Sequence, residues 1–200
     1  MRRIVLASGN AGKLAEMRAI LAGLNIELVA QSDLGIGDAE EAGATFVENA
    51  LLKARHAARE SGLPALGDDS GLCVDALHGA PGLYSARYAG RHGDDNANIA
   101  KLLDALRDIA QARRTAYFHC SIALLRSPTD PTPLIAEGRW NGRILSAPRG
   151  THGFGYDPIF LDIERAASAA ELDPALKNRI SHRGLAFARL RELLMDEDWV

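Results

Sequence analysis

Residues 3–13 constrain the fold more than any other stretch of the chain. Residues 4–7 predict a short buried strand, residues 8–13 a turn of small residues, and the residues that follow a helix with one apolar face. Such a turn directs backbone N–H groups and the positive end of a helix dipole toward whatever lies on it. Lys13 adds a cation, so the turn suits a phosphate group. The spacing is not that of a P-loop, and the alternative is a plain strand-to-helix connection.

Strand and helix patterns are mixed along the rest of the chain. Strands are predicted at residues 26–30, 65–67, 72–76, 115–125, 134–145 and 159–161. Helices are predicted at residues 45–61, from about residue 95, and from residue 181 to about residue 195. Because no repeat or linker divides the chain, we expect one domain over residues 1–200. The order of elements indicates an α/β protein whose sheet includes an antiparallel hairpin.

Composition excludes several classes of protein. The net charge of −3 argues against an extended nucleic-acid surface. No apolar run approaches the roughly 20 residues that span a bilayer, and the apolar start of the chain is too short for a signal peptide. Cys73 and Cys120 each fall in a predicted strand, which favours two reduced core thiols over a disulfide. We therefore expect a soluble cytoplasmic protein with no nucleic-acid or membrane partner.

Acidic residues occur in two groups that could hold a metal ion. Asp68 and Asp69 precede Ser70 and Gly71 between apolar strand patterns, and adjacent carboxylates there cannot both enter one core. Carboxylate oxygens are the ligands that Mg²⁺ prefers, usually one or two of them with waters and phosphates. Glu41, in the second group, could complete such a site from a loop. The alternative is a solvated turn for the first group and a solvated charge pair for the second.

The helix at residues 45–61 carries a further pair of polar side chains. Thr45 and Glu48 form a capping-box pattern at its start. Asn49 and Lys53 are spaced i, i+4 and therefore lie on one face of the helix. Lys53 together with Lys13 would suit a triphosphate, whereas an exposed basic face is the alternative.

Two later segments could recognise a base. Glycines on both sides of Phe154 free the backbone and let the ring stand clear of the chain, where a base could stack on it. Ser181 is a predicted N-cap, which puts His182 and Arg183 in the first turn of the last helix. Cations oppose the helix dipole there, so function is one reason for their position. A glycine-rich turn is the alternative for the segment around Phe154.

Taken together, these segments resemble the non-canonical purine nucleoside triphosphate pyrophosphatases, also called inosine triphosphate or dITP/XTP pyrophosphatases. The matching segments, in the order of that family, are residues 8–13, 41 with 45–50 and 53, 68–72, 79–88, 153–158 and 180–184. The similarity runs from residue 4 to about residue 190. Gly67 and Ala169 depart from the family pattern, and we expect neither to take part in the chemistry.

The resemblance implies a fold, a reaction and a cofactor. The fold is an elongated mixed β-sheet flanked by helices, in two lobes with the active-site cleft between them, as in the ITPase and Maf proteins. The reaction is hydrolysis of the α–β bond of ITP, dITP or XTP to the monophosphate and pyrophosphate, which removes deaminated purines from the nucleotide pool. The resemblance also implies dependence on Mg²⁺ and a homodimer.

The resemblance assigns roles to individual residues. Asp69 is the proton acceptor and a metal ligand, Glu41 is a second metal ligand, and Asp68 is a possible third. The substrate-binding positions are Ser8, Gly9, Asn10, Ala11, Gly12, Lys13, Lys53, Ser70, Phe154, Gly155, Tyr156, Asp157, Lys177, His182 and Arg183.

The base preference follows from hydrogen bonding. A 6-oxo group accepts a hydrogen bond where the 6-amino group of adenine donates one, so donors from His182, Arg183 or nearby N–H groups would favour hypoxanthine and xanthine. Three other readings stay open. They are a related pyrophosphatase for modified pyrimidines, a nucleotide-binding regulator without catalysis, and a nucleic-acid-binding module.

Overall fold

A computed structural model of the chain describes residues 2–8, 14, 17–18, 21 and 23–196. Within these residues, the strands form a seven-stranded sheet in the order β2-β1-β3-β4-β5-β6-β7. The strands are β1 (Arg2–Leu6), β2 (Ile26–Ala30), β3 (Ala65–Val74), β4 (Thr115–Leu125), β5 (Leu134–Ile144), β6 (Phe160–Asp162) and β7 (Ala167–Ser168). β1 is parallel to β2 and β3, whereas β6 is antiparallel to β5 and β7. The sheet is mixed, as predicted.

Helices flank the sheet, which confirms the α/β prediction. They are α1 (Phe46–Ser61), α2 (Asp95–Ala105), α3 (Pro174–Ile180) and α4 (His182–Asp196). Thr45 is the N-cap of α1, and its hydroxyl accepts a hydrogen bond from Glu48 N, as the capping box predicts. In the described part of the chain, no helix is long and apolar enough to cross a membrane. The sequence patterns do not predict α3, β7 or several short 3₁₀ turns, because each of these is too short to show a clear hydrophobic period.

The helix predicted after β1 is only partly described. Leu14, Met17 and Arg18 are helical, and Leu21 N donates to the carbonyl of Met17 at 2.9 Å. Met17 and Leu21 are buried in the core, as the predicted apolar face requires. The turn residues Gly9, Asn10, Ala11, Gly12 and Lys13 lie outside the described residues.

The prediction of two strand pieces on either side of residues 68–71 is wrong. β3 is one continuous strand from Ala65 to Val74, and Asp68 and Asp69 lie in its middle. β3 lies between β1 and β4 in the sheet, so backbone hydrogen bonds on both edges keep the segment extended. The local turn signal of Asp, Ser and Gly is weaker than this tertiary pairing.

The chain divides into two compact units by its internal contacts. Unit 1 contains Met1–Asp69, Cys120–Gly138 and Leu185–Val200, and unit 2 contains Ser70–His119 and Arg139–Gly184. Unit 1 has a core of aliphatic side chains from β1, β2, β4 and α4, with Phe187 among them. Unit 2 has an aromatic core that includes Phe118, Trp140 and Phe160. Cys73 and Cys120 are buried and form no disulfide, which confirms the prediction of two core thiols.

Candidate active site

The two adjacent aspartates of β3 are both buried. Successive side chains of a strand point to opposite faces, so Asp68 and Asp69 lie on different sides of the sheet. Asp68 is 1% exposed and Asp69 is 9% exposed. Carboxylates are rarely buried to this extent unless they are paired or bind a metal. The pair is therefore unlike a solvated turn, which was the alternative reading of this segment.

Lys53 links these aspartates to the loop before α1. Its ammonium nitrogen lies 2.8 Å from Asp69 Oδ1 and 2.8 Å from Glu41 Oε1, and it donates to the carbonyl oxygen of Asp68 at 2.9 Å. An ammonium group has three N–H donors, and these three contacts use all of them. The structure thus brings together Glu41, Lys53 and Asp69, which the sequence predicts as parts of one site.

The pKa values of this cluster reflect its negative charge. Burial lowers the pKa of Lys53, but the charge of Asp69 and hydrogen bonds to Asp69 and Glu41 outweigh this and raise it above its ordinary value of 10.5. Burial also raises the pKa of Asp69, the charge of Lys53 offsets part of that rise, and Glu41 adds to it. Burial is thus the main cause of the raised pKa at Asp69, whereas the neighbouring carboxylates favour proton binding at Lys53.

Replacing Lys53 by methionine is expected to destabilise the protein by about 2 kcal/mol, between the values for exposed and buried ion pairs. Because the folded pKa of Lys53 is raised, its contribution is complete below about pH 10.5 and is lost as the pH rises through the folded pKa. The difference in unfolding free energy between wild type and Lys53→Met, measured in urea without metal, should be constant at about pH 7–9 and shrink once the pH passes about 10.5. The exposed Arg59→Met on the same helix is the control. A difference that does not change with pH would contradict the assignment.

A divalent cation fits this cluster by charge and by donor type. Glu41 and Asp69 present carboxylates to the same ammonium, and the charge of Asp68 also acts on Lys53. Mg²⁺ is usually held by one or two carboxylates together with substrate phosphates. Among the residues that the structure describes, no group of three or more His, Cys, Asp or Glu side chains is arranged to hold a metal. Glu41 and Asp69 could therefore hold such a cation only together with oxygens of a ligand or of water.

In unit 2, Phe154 lies on a glycine loop with a fixed backbone. Its ring is 62% exposed, and Gly153 and Gly155 have φ values of 79° and 59°, a region that favours glycine. Phe154 N donates to Asp157 Oδ2 at 2.8 Å, and Gly155 N donates to Asp95 Oδ2 at 2.7 Å. The ring is thus exposed although its backbone is held at two points, which is suited to stacking on a planar ligand.

Two cations lie beside the Phe154 ring. Lys177 forms an ion pair with Asp157, and its Nζ lies 5.1 Å from the ring centroid of Phe154. The guanidinium carbon of Arg183 lies 5.7 Å from the same centroid. Both distances are within the range of cation–π contacts. Phe154, Asp157, Lys177 and Arg183, all predicted to bind substrate, therefore lie together.

Tyr156 has a structural role in the same loop. Its side chain is 4% exposed and packs in the aromatic core of unit 2. Its hydroxyl donates to the carbonyl oxygen of Ser85 at 2.9 Å, and burial raises the pKa of the phenol, so the group stays neutral. Only the backbone of Tyr156 is therefore available to a ligand.

The start of α4 holds two buried basic residues. Ser181 caps the helix, because its hydroxyl accepts a hydrogen bond from Gly184 N at 3.2 Å. The His182 ring stacks on Phe118 with a centroid distance of 4.7 Å and an interplanar angle of 13°. Arg183 Nη2 lies 3.5 Å from Ser70 Oγ, at the limit of a hydrogen bond. The predicted N-cap and the predicted positions of His182 and Arg183 are present.

Gly184 brings this helix start close to α3. A Cβ atom at position 184 would lie 1.8 Å from the carbonyl oxygen of Asn178, which is a backbone atom. Only glycine permits this approach. The turn between α3 and α4, which carries Ser181, His182 and Arg183, is therefore fixed by the absence of a side chain at Gly184.

The sequence assigned no role to Asp95 or Asn49. Asp95 holds Gly155, which is 60 residues away in the chain, and no local pattern marks that contact. Asn49 Nδ2 donates to Asp69 Oδ2 at 3.2 Å. The i, i+4 spacing of Asn49 from Lys53 was the one sequence signal that could have indicated this contact.

Ser8 is the described member of the predicted phosphate turn. It directly follows Ala7 after β1 and is half-buried.

Known proteins share both this sequence and this fold. A sequence model of the Ham1 family matches residues 4–193. The chain is 63% identical to a dITP/XTP pyrophosphatase of Xanthomonas campestris pv. campestris (strain 8004), over 97% of this chain and 98% of that protein. A HAM1 protein from Coxiella burnetii superposes with a TM-score of 0.95 at 52% identity, over 98% of this chain and 100% of that one. A nucleoside-triphosphatase / dITP/XTP pyrophosphatase from Mycobacterium abscessus superposes with a TM-score of 0.79 at 46% identity, over 96% and 99%.

Proposed function

The chain belongs to the Ham1 family, and from this membership we propose that it hydrolyses dITP, ITP and XTP to the monophosphate and pyrophosphate. The observation that carries the proposal is the cluster of Glu41, Lys53 and Asp69, in which one ammonium group binds an exposed and a buried carboxylate. It occurs in a chain that is 63% identical to a protein named dITP/XTP pyrophosphatase. By removing deaminated purine nucleotides, the enzyme keeps them out of nucleic acid.

Residues of unit 1 are proposed to carry the chemistry. Glu41 and Asp69 would hold Mg²⁺, which when bound supplies positive charge to the phosphates. Asp68, which the resemblance offers as a third ligand, has its side chain on the opposite face of β3 and is left out of this set. Asp69 takes the proton of the attacking water, and its raised pKa makes it a better base than an ordinary aspartate. Lys53 orients Asp69 and Glu41, and Lys13 stabilises charge on the departing pyrophosphate. The backbone N–H groups of residues 8–13 bind the phosphates.

Residues of unit 2 are proposed to recognise the base. Phe154 provides the stacking surface, and Gly155, Tyr156 and Asp157 complete its loop. Lys177, Ser70, His182 and Arg183 supply hydrogen-bond donors, of which His182 and Arg183 face the 6-oxo group. The burial and close packing of His182 and Arg183 support this role, because fixed donors discriminate better than mobile ones.

Three further expectations belong to the proposal. Residues 1–200 act as one functional domain, since β3, β4 and β5 each have residues in both units. Two copies of the chain pair as a homodimer, which size-exclusion chromatography with light scattering would detect. The enzyme acts in the cytoplasm on free nucleotides, with no nucleic-acid or membrane partner, in line with its net charge of −3.

The test is to identify the product released from dITP and XTP, with and without Mg²⁺. We expect pyrophosphate, not orthophosphate, in the presence of the metal, and essentially no release after treatment with EDTA. Release of orthophosphate would overturn the assignment of the α–β bond. Binding of dITP without any release would favour a nucleotide-binding regulator, and turnover of modified pyrimidine nucleotides alone would favour the related pyrophosphatases.

A further inference from the structure

We propose that Asn49 is a positioning residue for the reaction proposed above, one that holds Asp69 and the loop bearing Glu41 in a single arrangement. Asn49 is 2% exposed and lies in the first turns of α1. Its amide makes two hydrogen bonds to groups outside the helix. Nδ2 donates to Asp69 Oδ2 at 3.2 Å, and Oδ1 accepts from Gly43 N at 2.8 Å.

The chemistry of the two partners explains why an asparagine is needed. The Gly43 N–H can only donate, and the ionised carboxylate of Asp69 can only accept. The amide of Asn49 has one orientation that satisfies both, with its oxygen toward Gly43 and its nitrogen toward Asp69. Aspartate would lack the donor, and leucine, of similar volume, would lack both groups. Buried polar groups left without partners are costly, so each substitution should disturb the arrangement.

Asn49 and Lys53 act as two parallel links between the same structures. They are one helical turn apart, and each binds a different oxygen of Asp69, Lys53 the Oδ1 atom and Asn49 the Oδ2 atom. Each also reaches the loop, Lys53 through the carboxylate of Glu41 and Asn49 through the backbone of Gly43. Both carboxylate oxygens of Asp69, the proposed general base, are therefore oriented by side chains on one face of α1.

Gly43 gives an independent observation for the same link. A Cβ atom at position 43 would lie 2.6 Å from Asn49 Oδ1 and 2.8 Å from Glu48 Cβ. The loop can therefore approach the helix this closely only with glycine at position 43. Next to it, Ala44 N and the Thr45 hydroxyl both donate to Glu48 Oε2, at 2.8 and 3.0 Å. The three residues that follow the Glu41–Ala42 step are thus each bonded to the start of α1.

The test compares Asn49→Leu and Gly43→Ala with the wild type and with Glu60→Gln, an exposed substitution on the same helix. Amide hydrogen exchange of residues 40–49 is measured in the metal-free protein, and steady-state kinetics are measured with dITP at several Mg²⁺ concentrations. We expect Gly43 to exchange at least about tenfold faster in Asn49→Leu, because its hydrogen-bond acceptor is lost. We expect kcat to fall about 30-fold, the half-saturating Mg²⁺ concentration to rise about tenfold, and KM to change less than about threefold.

Gly43→Ala keeps the amide group of Asn49 but adds a Cβ atom that would meet its Oδ1 atom, so it should show the same pattern in a milder form. It also decides the question if Asn49→Leu does not fold. Unchanged exchange at residue 43, or a kcat within about twofold of wild type, would overturn the proposal. A lowered kcat with an equally raised KM and unchanged exchange would also overturn it. If the wild type releases no pyrophosphate, the proposed function fails, and the exchange data alone decide whether Asn49 anchors the loop.

Discussion

Asp69→Asn is expected to lower kcat for dITP about 10³-fold and to leave nucleotide binding nearly unchanged. Asparagine has the shape of aspartate but cannot accept a proton from water at neutral pH. Asp69 is buried, its pKa is raised by that burial, and both of its oxygens are oriented by side chains of α1. A base that is fixed in this way acts mainly in the transition state, so its loss should reduce kcat more than it changes KM.

The measurement is pyrophosphate release at saturating dITP, together with calorimetric titration of nucleotide in Ca²⁺ to report binding. Asp104→Asn is the matched control, because Asp104 lies on α2 and its side chain is 71% exposed in a surface pair with Arg107. Thermal unfolding of both variants verifies the fold. A kcat for Asp69→Asn within about tenfold of wild type would mean that another group takes the proton, and Glu41 would be examined next.

The ratio of kcat/KM for dITP to that for dATP is expected to be about 10⁴. A site with fixed donors rejects a base that also donates, because a buried donor is then left without an acceptor. His182 is stacked on Phe118 and Arg183 is 8% exposed, so neither can turn away easily to relieve such a clash. The discrimination should appear mainly as a lower kcat for dATP than for dITP. The two nucleotides should differ less in ground-state binding.

Arg183→Met tests which side chain recognises the purine base of the substrate. Methionine keeps much of the apolar stem but has no donor, so the ratio should fall to about 100 or below through a loss of activity on dITP. Arg189→Met, in an exposed part of the same helix, is the control and should keep the wild-type ratio. A ratio near unity in the wild type would remove the 6-oxo group as the basis of selection. An unchanged ratio in Arg183→Met would shift the role to His182 or to backbone donors.

Element order and helix ends could be read from the sequence because their signals are local. The capping box at Thr45 fixes the start of α1, and the alternation in residues 115–125 predicts β4 with its observed bounds. Ser181 caps α4 as expected, although that cap is followed by two cations. Each of these features depends on residues within one or two turns or strand repeats of one another, and here the local preference agrees with the tertiary fold.

β3 shows where local signals fail. Asp68, Asp69 and Ser70 are poor strand formers and predict a break between two short strands. The segment is extended without a break because it lies between two neighbouring strands, and the hydrogen bonds of those neighbours outweigh the propensity of the side chains. This difference matters for function, since a continuous strand puts the two carboxylates on opposite faces and leaves only one of them in the contacts with Asn49 and Lys53.

The sequence by itself determined which residue types are available for the proposed chemistry, namely acids, lysines, an aromatic ring between two glycines and a capped helix with basic residues in its first turn. Tertiary structure decided how they are connected. Lys53 is bonded to Glu41 and Asp69, 12 and 16 residues away, and Asn49 to Asp69, 20 residues away. Helix and strand propensities act over a few residues, whereas a hydrogen bond between side chains depends on where packing puts two distant segments. The proposed general base, Asp69, could thus be predicted from the sequence. The side chains that orient it could not, because their contacts depend on the packing of α1 against β3.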